Sequence, residues 1–327
     1  MEKKLKILLV PTCHYDFCAA TITEGLYLLS QRKNIEFFTT EHANYGNIEN
    51  LKYFKDGDEA INYGRDADLV IMTSYAGVKE EIVQKIDNKN KTVYIDGTDE
   101  ERYYKIPNEF AIYFKREKKT NKIHDANVRS FQFATEERYF FKNKKEIEEN
   151  ISNKKTNVVC MFGQTDSRKA DRYWIEETVN NMNIENSVIG RVYDNNPIRK
   201  DLDSGKRDHY SYYENLYNAK ISIDGYGADQ SNSARFWESL ANGCCLVCQD
   251  PNIIDIPYSF KDKKDFYSFK DVEELKDVIN FLLKNDDIRI KTAKNSYKKL
   301  LEYHTSDKRA EYLINTCKEF GIIDYVG

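Results

Sequence analysis

A chain of 327 residues is long enough for two domains of ordinary size, each with its own core. Hydrophobic residues at 40% and charged residues at 32% describe a globular protein, and a net charge of −4 removes any bulk attraction to nucleic acid or anionic membrane. The opening Met-Glu-Lys-Lys-Leu-Lys leads straight into the apolar run Ile7–Val10, which is too short for a signal core or a membrane span. Seven cysteines, an odd number without zinc-type pairing, fit a reducing compartment, so a cytoplasmic protein is expected. The C-x-x-C of Cys245 and Cys248 lies in the apolar run CCLVC, where cysteine acts as a small hydrophobe.

Short apolar runs alternate with amphipathic segments along the whole chain, the pattern of an α/β protein with parallel sheets. In the first half the predicted strands are 6–10, 35–39, 69–73, 92–95 and 111–114, with helices over 21–31, 58–65 and 78–86. Pro11-Thr-Cys-His-Tyr-Asp follows the first strand, which puts His14 and Asp16 at the carboxyl edge of a sheet, where α/β ligand sites form. Either can act as a general base, or simply cap the next helix. Further on, Asp96 and Asp99 in Tyr-Ile-Asp-Gly-Thr-Asp, and Lys115 and Arg116 in Tyr-Phe-Lys-Arg-Glu, suggest acceptor-hydroxyl or diphosphate contacts, or mutual bracing. The D-x-x-D spacing also admits a divalent metal, although no metal is assigned. The stretch 142–155, KNKKEIEENISNKK, is polar and lacks core residues, and reads as a helical tether between domains.

The second half restarts the pattern, with strands over 157–162, 187–192, 220–223, 244–248 and 265–269 and helices over 169–182, 211–217, 233–241, 272–283 and 287–302. Two doubly wound, Rossmann-like domains result, one over residues 1–145 and the other over 146–304. A last helix within 305–327 has Thr305 or Ser306 as its cap and Gly321 as its stop. Gly163 and Arg168 follow the first strand of this half, where a glycine admits close backbone approach and an arginine reaches a phosphate. Arg191 and Tyr193 end the next strand, near where a nucleotide base would lie. The richest phrase runs from Tyr212 to Asp250. Its loop of small polar residues, with Gln230, Ser231, Asn232 and Ser233, leads into a helix that carries Arg235 and Glu238 on one face. An arginine at a helix N-terminus favours a diphosphate, and a carboxylate one turn later accepts hydrogen bonds from ribose hydroxyls.

Ala-Lys-Ile-Ser-Ile-Asp followed by Ala-Arg-Phe-Trp-Glu-Ser-Leu-Ala-Asn-Gly resembles the C-terminal half of GT-B-type glycosyltransferases, and within them the spore-maturation-type group. Met-Phe-Gly-Gln at Gly163 with Arg168 after it, where that group tends to carry F-x-G-x and then an arginine, the aspartate-rich turn at Asp96 and the F-K-R-E phrase at Phe114 extend the resemblance to both halves. It implies a GT-B-like α/β fold of two Rossmann-like domains facing across a cleft, with the terminal helix crossing back onto the first. It implies a sugar transferase that takes a nucleoside-diphosphate sugar as donor, without an obligatory metal or further cofactor. The acceptor would be a hydroxyl of a glycan, protein or small molecule, with a nucleic-acid base as a remoter alternative through Lys115, Arg116, Lys118 and Lys119. In many retaining members a glutamate stands eight positions before the residue matching Glu238, and here that place is Gln230. The uncharged amide counts against a retaining route without establishing an inverting one, for which His14 or Asp16 would be the base; the alternative is a non-catalytic nucleotide-sugar-binding or assembly protein. A nicotinamide-dependent oxidoreductase fits poorly, since no G-x-G-x-x-G follows a first strand.

Overall fold

The computed structural model describes residues 4–11, 17–40, 48, 50–73, 80–162, 172–191, 209–227, 230 and 232–324. They form two compact units, Met1–Glu136 with Asp255–Pro257 and Tyr303–Gly327 (unit 1), and Glu137–Ile254 with Tyr258–Glu302 (unit 2). No helix of the described residues is long and apolar enough to cross a membrane.

Unit 1 is built on six strands, β1 (Leu5–Val10), β2 (Ile35–Thr39), β3 (Leu69–Thr73), β4 (Thr92–Asp96), β5 (Ile112–Lys115) and β6 (Val128–Ser130). All neighbours are parallel, in the order β2-β1-β3-β4-β5-β6. Every residue of β3, β4 and β5 is buried, which is why their middle residues read as apolar runs rather than alternating ones, with Asp96 and Lys115 as charged ends. Three helices interleave with the strands: α1 (Phe17–Ser30), α2 (Gly57–Asp66) and α3 (Glu80–Ile86). Asp56 caps α2 by accepting from the Asp58 amide at 2.7 Å. Between β4 and β5 the connection holds only a single 3-10 turn, Pro107–Glu109. There the sheet is covered by aromatic rings instead, with Tyr94 stacked on Phe110 at 4.8 Å and tilted against Tyr113 at 5.1 Å. The edge strand β6 was not expected; three residues are too few to show a period.

Unit 2 contains α4 (Lys144–Asn150), β7 (Thr156–Phe162), α5 (Tyr173–Asn181), β8 (Ser187–Arg191), α6 (His209–Asn218) and β9 (Ala219–Asp224). It continues through α7 (Ala234–Ala241), β10 (Cys245–Cys248), β11 (Tyr267–Ser268), α8 (Val272–Lys284) and α9 (Asp286–Tyr303). Its five strands are again all parallel, ordered β11-β10-β9-β7-β8. In both sheets the strand order reverses once, between β1 and β3 and between β7 and β9, and such reversals open a crevice at the carboxyl ends. The stretch 142–155 corrects the expectation of a coreless tether. Ile147 and Ile151, four apart on one helical face, are buried in the core of unit 2, and Asn143 caps α4 through the Glu146 amide at 2.9 Å. Cys245 and Cys248 are buried strand residues whose thiols burial pushes up in pKa, as expected of cysteines serving as hydrophobes.

The last helix, α10 (Ser306–Glu319), returns to unit 1 as the resemblance implied and lies against α1. It buries Ala310, Leu313, Ile314 and Cys317, and it stops at Gly321, whose φ of 68° suits glycine. Contact is tightest at Gly25 of α1, where an added Cβ would sit 2.2 Å from the Ser306 carbonyl oxygen and 2.9 Å from Ala310 Cβ. Replacing a helical glycine by alanine ordinarily adds about 1 kcal/mol of stability. Here the α10 backbone occupies the space. Gly25→Ala is expected to lower the unfolding free energy by about 1–3 kcal/mol in urea titrations; a gain in stability would show that α10 does not seat on α1 at this point.

Candidate functional site

In unit 2 the reversal of strand order brings together Phe162, the last residue of β7, and Asp224, the last of β9. Asp224 is buried, so its carboxylate needs internal partners. It finds them along the loop that follows. Its oxygens accept from the Gly225 amide at 2.9 Å and from Ser233 Oγ at 2.9 and 2.8 Å, and Arg235 Nη1 lies 3.6 Å away. One carboxylate therefore fastens both ends of the 225–233 loop. A Cβ at Gly225 would come within 2.7 Å of Ile175 Cδ1, so the end of that side chain would have to shift. Ser233 has the extended backbone of an N-cap for α7, yet its hydroxyl goes to Asp224 and not to the helix amides.

Arg235 sits in the first turn of α7, buried, with its guanidinium carbon 5.0 Å from the centre of the Phe162 ring. Burial opposes its charge, but the surrounding Tyr212, Asp224 and Glu238 oxygens outweigh that, and its pKa is raised. Its Nε and Nη1 have no hydrogen-bond partner among the described residues. Glu238, one turn on, accepts from Tyr212 Oη at 2.7 Å and from Tyr213 Oη at 3.3 Å, both from α6. Burial raises the Glu238 pKa, against the lowering by Arg235 and the two tyrosines. Arg172, ahead of α5, places its guanidinium 5.5 Å from the same Phe162 ring and donates from Nε to the Tyr226 carbonyl at 2.8 Å. Asn232 is buried and turned towards the segment after β10, donating to the Pro251 carbonyl at 3.3 Å. Gln230 is exposed and adopts a left-handed φ of 61°. Arg191 closes β8 in register with Phe162. Gly163, Arg168, Tyr193 and Ser231 lie outside the described residues, as do His14 and Asp16.

In unit 1 the structure separates the four cleft candidates. Asp96 and Lys115 are fully buried and bonded to each other at 3.0 Å. Asp96 also accepts from Tyr113 Oη at 2.6 Å and from Thr98 Oγ1 at 2.6 Å, while Lys115 Nζ donates to the Glu100 carbonyl at 2.6 Å. The bracing alternative describes this pair, and a side chain committed so completely inside the unit is not available to an acceptor or a diphosphate. Arg116 pairs with Asp99 through Nη2 and with Glu117 through Nε at 2.7 Å, its guanidinium 4.5 Å from the Phe133 ring. Asp96 and Asp99 thus each answer a different cation. No cluster of three metal-ligating side chains occurs among the described residues.

Four residues at these places were not anticipated as site residues. Asp224 and Tyr212 lie inside the most informative phrase, but an acid ending a strand and a tyrosine in a tyrosine-rich chain carry no distinguishing signal. Phe162 reads as ordinary strand core. Glu117 completes the F-K-R-E phrase, and only the fold reveals that it is buried, with Oε2 unpartnered among the described residues and its pKa raised by burial against Arg116.

Residues 168–315 match the model of a family described as glycosyl transferase-like. Comparison with curated proteins finds no match. Among solved structures the chain is similar to a glycosyltransferase from Rickettsia africae ESF-5, with a TM-score of 0.64 and 12% identity over 98% of this chain and 99% of that one. It is similar also to an alpha-glucosyltransferase in complex with UDP-glucose and DNA containing an abasic site (TM-score 0.61, 10% identity, 97% and 100% covered). A third is Anabaena Alr3699/HepE in complex with UDP and glucose (TM-score 0.58, 9% identity, 96% and 100% covered). The two parallel sheets and the terminal helix give the chain the GT-B fold of these structures, and the glycosyl transferase-like match covers residues 168–315 of it. The comparisons bear out that coarser resemblance and do not reach the spore-maturation-type group.

The raised pKa of Glu238 sets the sign of a pH effect. A carboxylate whose pKa is raised on folding is destabilising once ionised; the penalty is absent in acid and complete above its folded pKa. Glu238→Gln is expected to leave stability unchanged in acid and to raise it at neutral pH, read as the urea midpoint in the two buffers. A lower midpoint at neutral pH would show that the Arg235 attraction outweighs burial.

Proposed function

We propose that the chain transfers a sugar from a nucleoside-diphosphate sugar to an acceptor hydroxyl, with the donor bound at the β7–β9 reversal of unit 2. The observation that carries this reading is the buried Arg235. It is held by Asp224 and Phe162 at the start of α7, with two donors unbonded among the described residues, inside the segment that matches the glycosyl transferase-like family. UDP is the first nucleotide to test, because two of the similar structures hold UDP or UDP-glucose. Glu238 would receive the ribose hydroxyls, using lone pairs left after Tyr212 and Tyr213.

In the transfer the acceptor oxygen bonds to the anomeric carbon as the carbon–oxygen bond to the diphosphate breaks. The diphosphate leaves with the bonding pair, and the acceptor proton passes to a base. Among the described residues, Arg172 and Arg235 stand with Asp224, Glu176 and Glu238, two cations against three acids. Neutralising the diphosphate therefore calls on Arg168 and on loop and helix amides as well. For the base, His14 and Asp16 remain our assignment, with Glu117 a third candidate just past the carboxyl end of β5. No metal is needed on this reading, and the buried free thiols of the described residues suit a cytoplasmic setting. Gln230, an amide at the position of a charged residue in many retaining enzymes, favours the second reading, a protein that binds the nucleotide sugar without turnover.

Titration calorimetry with UDP, GDP, ADP, dTDP and CDP, followed by an assay of nucleotide release from the matching sugar donor, tests the proposal. One clear binder is expected, with release accelerated by acceptor. Arg235→Ala should weaken diphosphate binding severely and cut transfer by roughly 10²–10³-fold. His14→Ala, Asp16→Asn and Glu117→Gln should retain donor binding, and the one that removes the base should lose transfer. Binding without release would establish the non-catalytic reading, and normal binding in Arg235→Ala would refute the placement of the site. An acceptor whose binding falls steeply with salt would be a nucleic acid.

A further inference from the structure

We infer that unit 1 carries a separate site for a neutral saccharide ring, in the cavity between α3 and the β4–β5 connection. The cavity measures about 290 Å³, and it lies where that connection supplies a single 3-10 turn, whereas the β1–β2, β2–β3 and β3–β4 crossovers each supply a helix. Its size is at the lower end of small-molecule sites, roughly 300 Å³. Met72, Val83 and Phe110 give it an apolar base. The Phe110 ring is held by stacking on buried Tyr94, with an interplanar angle of 27°.

The rim is of a different kind. Gln84 and Asn88 contribute amides, and Asp87 and Glu109 contribute carboxylates, four planar groups that each can engage a pair of vicinal hydroxyls. One wall is fixed by Thr92, whose hydroxyl donates to the Asn88 carbonyl at 2.8 Å. Lys89 and Lys105 balance the two acids, so the charged rim sums to zero. That balance gives no net attraction for a phosphate, a nucleotide or an acidic sugar. A wholly apolar ligand would strip water from the rim groups without replacing their hydrogen bonds, at a cost of about 1–3 kcal/mol each. A sugar ring answers both surfaces, its C–H face on Phe110 and its hydroxyls at the amides and carboxylates. The site stands independently of the donor assignment. Its use, to hold a sugar of the acceptor remote from the reacting hydroxyl, rests on the transferase reading.

The test is saturation-transfer NMR and titration of the full chain with methyl glucoside, maltose, cellobiose and N,N′-diacetylchitobiose, with glucose 6-phosphate as the charged control. At least one neutral saccharide should bind. Binding should fall roughly tenfold or more when Gln84→Ala and Asn88→Ala are combined, since each removes hydrogen bonds, Gln84 at an exposed and Asn88 at a half-buried position. UDP titration of the same variant reports the donor site separately and should be unchanged. The inference is overturned if no neutral saccharide binds, if binding survives in the double variant, or if glucose 6-phosphate binds in preference. Loss of UDP binding in the unmodified chain would instead count against the transferase reading alone.

Discussion

The carboxylate of Asp224 is the constraint on which the architecture of unit 2 turns. A parallel strand buried on both faces delivers an acid to the end of the sheet, where it must find partners or raise the cost of folding. Its partners are the first amide of the following loop, the hydroxyl that ends that loop, and the guanidinium of the next helical turn. By taking the Ser233 hydroxyl it removes the side-chain cap that α7 would otherwise have, and a helix start without its own cap is suited to an anion. The same acid therefore shapes the loop, sets the depth of Arg235 and leaves the helix start open.

The far end of α7 is held as firmly, by the residues of Glu238-Ser-Leu-Ala-Asn-Gly243. Gly243, at φ 67°, lets its amide reach the Leu240 carbonyl at 3.0 Å and the Cys244 amide reach Ser239 at 3.1 Å, the two bonds that close a helix through a left-handed residue. Asn242 beside it accepts from the Phe141 amide at 3.0 Å and donates to the Tyr139 carbonyl at 2.8 Å. Lys154, buried, donates to the Asn242 carbonyl at 2.8 Å and to the Tyr217 carbonyl at 2.7 Å, joining the C-terminal ends of α7 and α6. Burial pulls its pKa down to about 8, while the negative ends of two helix dipoles favour the ammonium. Tyr212 and Tyr213 on α6 are thereby kept in register with Glu238 on α7.

Most of the strand and helix order was legible, because buried parallel strands give apolar runs and surface helices give a repeating stripe. Arg235 and Glu238 were legible too, as a pair three apart on one helix. What escaped depended on partners distant in sequence. Ile147 and Ile151 look isolated among charges until a helix aligns them against the core of unit 2. Asp96 and Lys115 look exposed in phrases rich in charge, yet they lie on neighbouring strands in direct register, so each can neutralise the other inside the sheet. Nothing local distinguishes Asp224, a strand-ending acid that organises a loop, from Asp96, a strand-ending acid that braces a lysine.

The distinction between those two acids is one of hydrogen-bond completeness. Lys115 gives its protons to Asp96, to the Glu100 carbonyl and, at 3.4 Å, to Thr98, so the pair is closed and a ligand has nothing to add. Arg235 has a 3.6 Å ion pair with Asp224 and a hydrogen bond with Tyr212, yet leaves Nε and Nη1 without hydrogen bonds to the described residues. A buried donor left in that state costs about 1–3 kcal/mol, and more when it is charged. On the proposed function, a bound diphosphate would offset that cost. Within one molecule, then, two strand-ending carboxylates have cationic partners in opposite states: Lys115 is saturated, and Arg235 keeps donors that, on the proposed function, a diphosphate would complete.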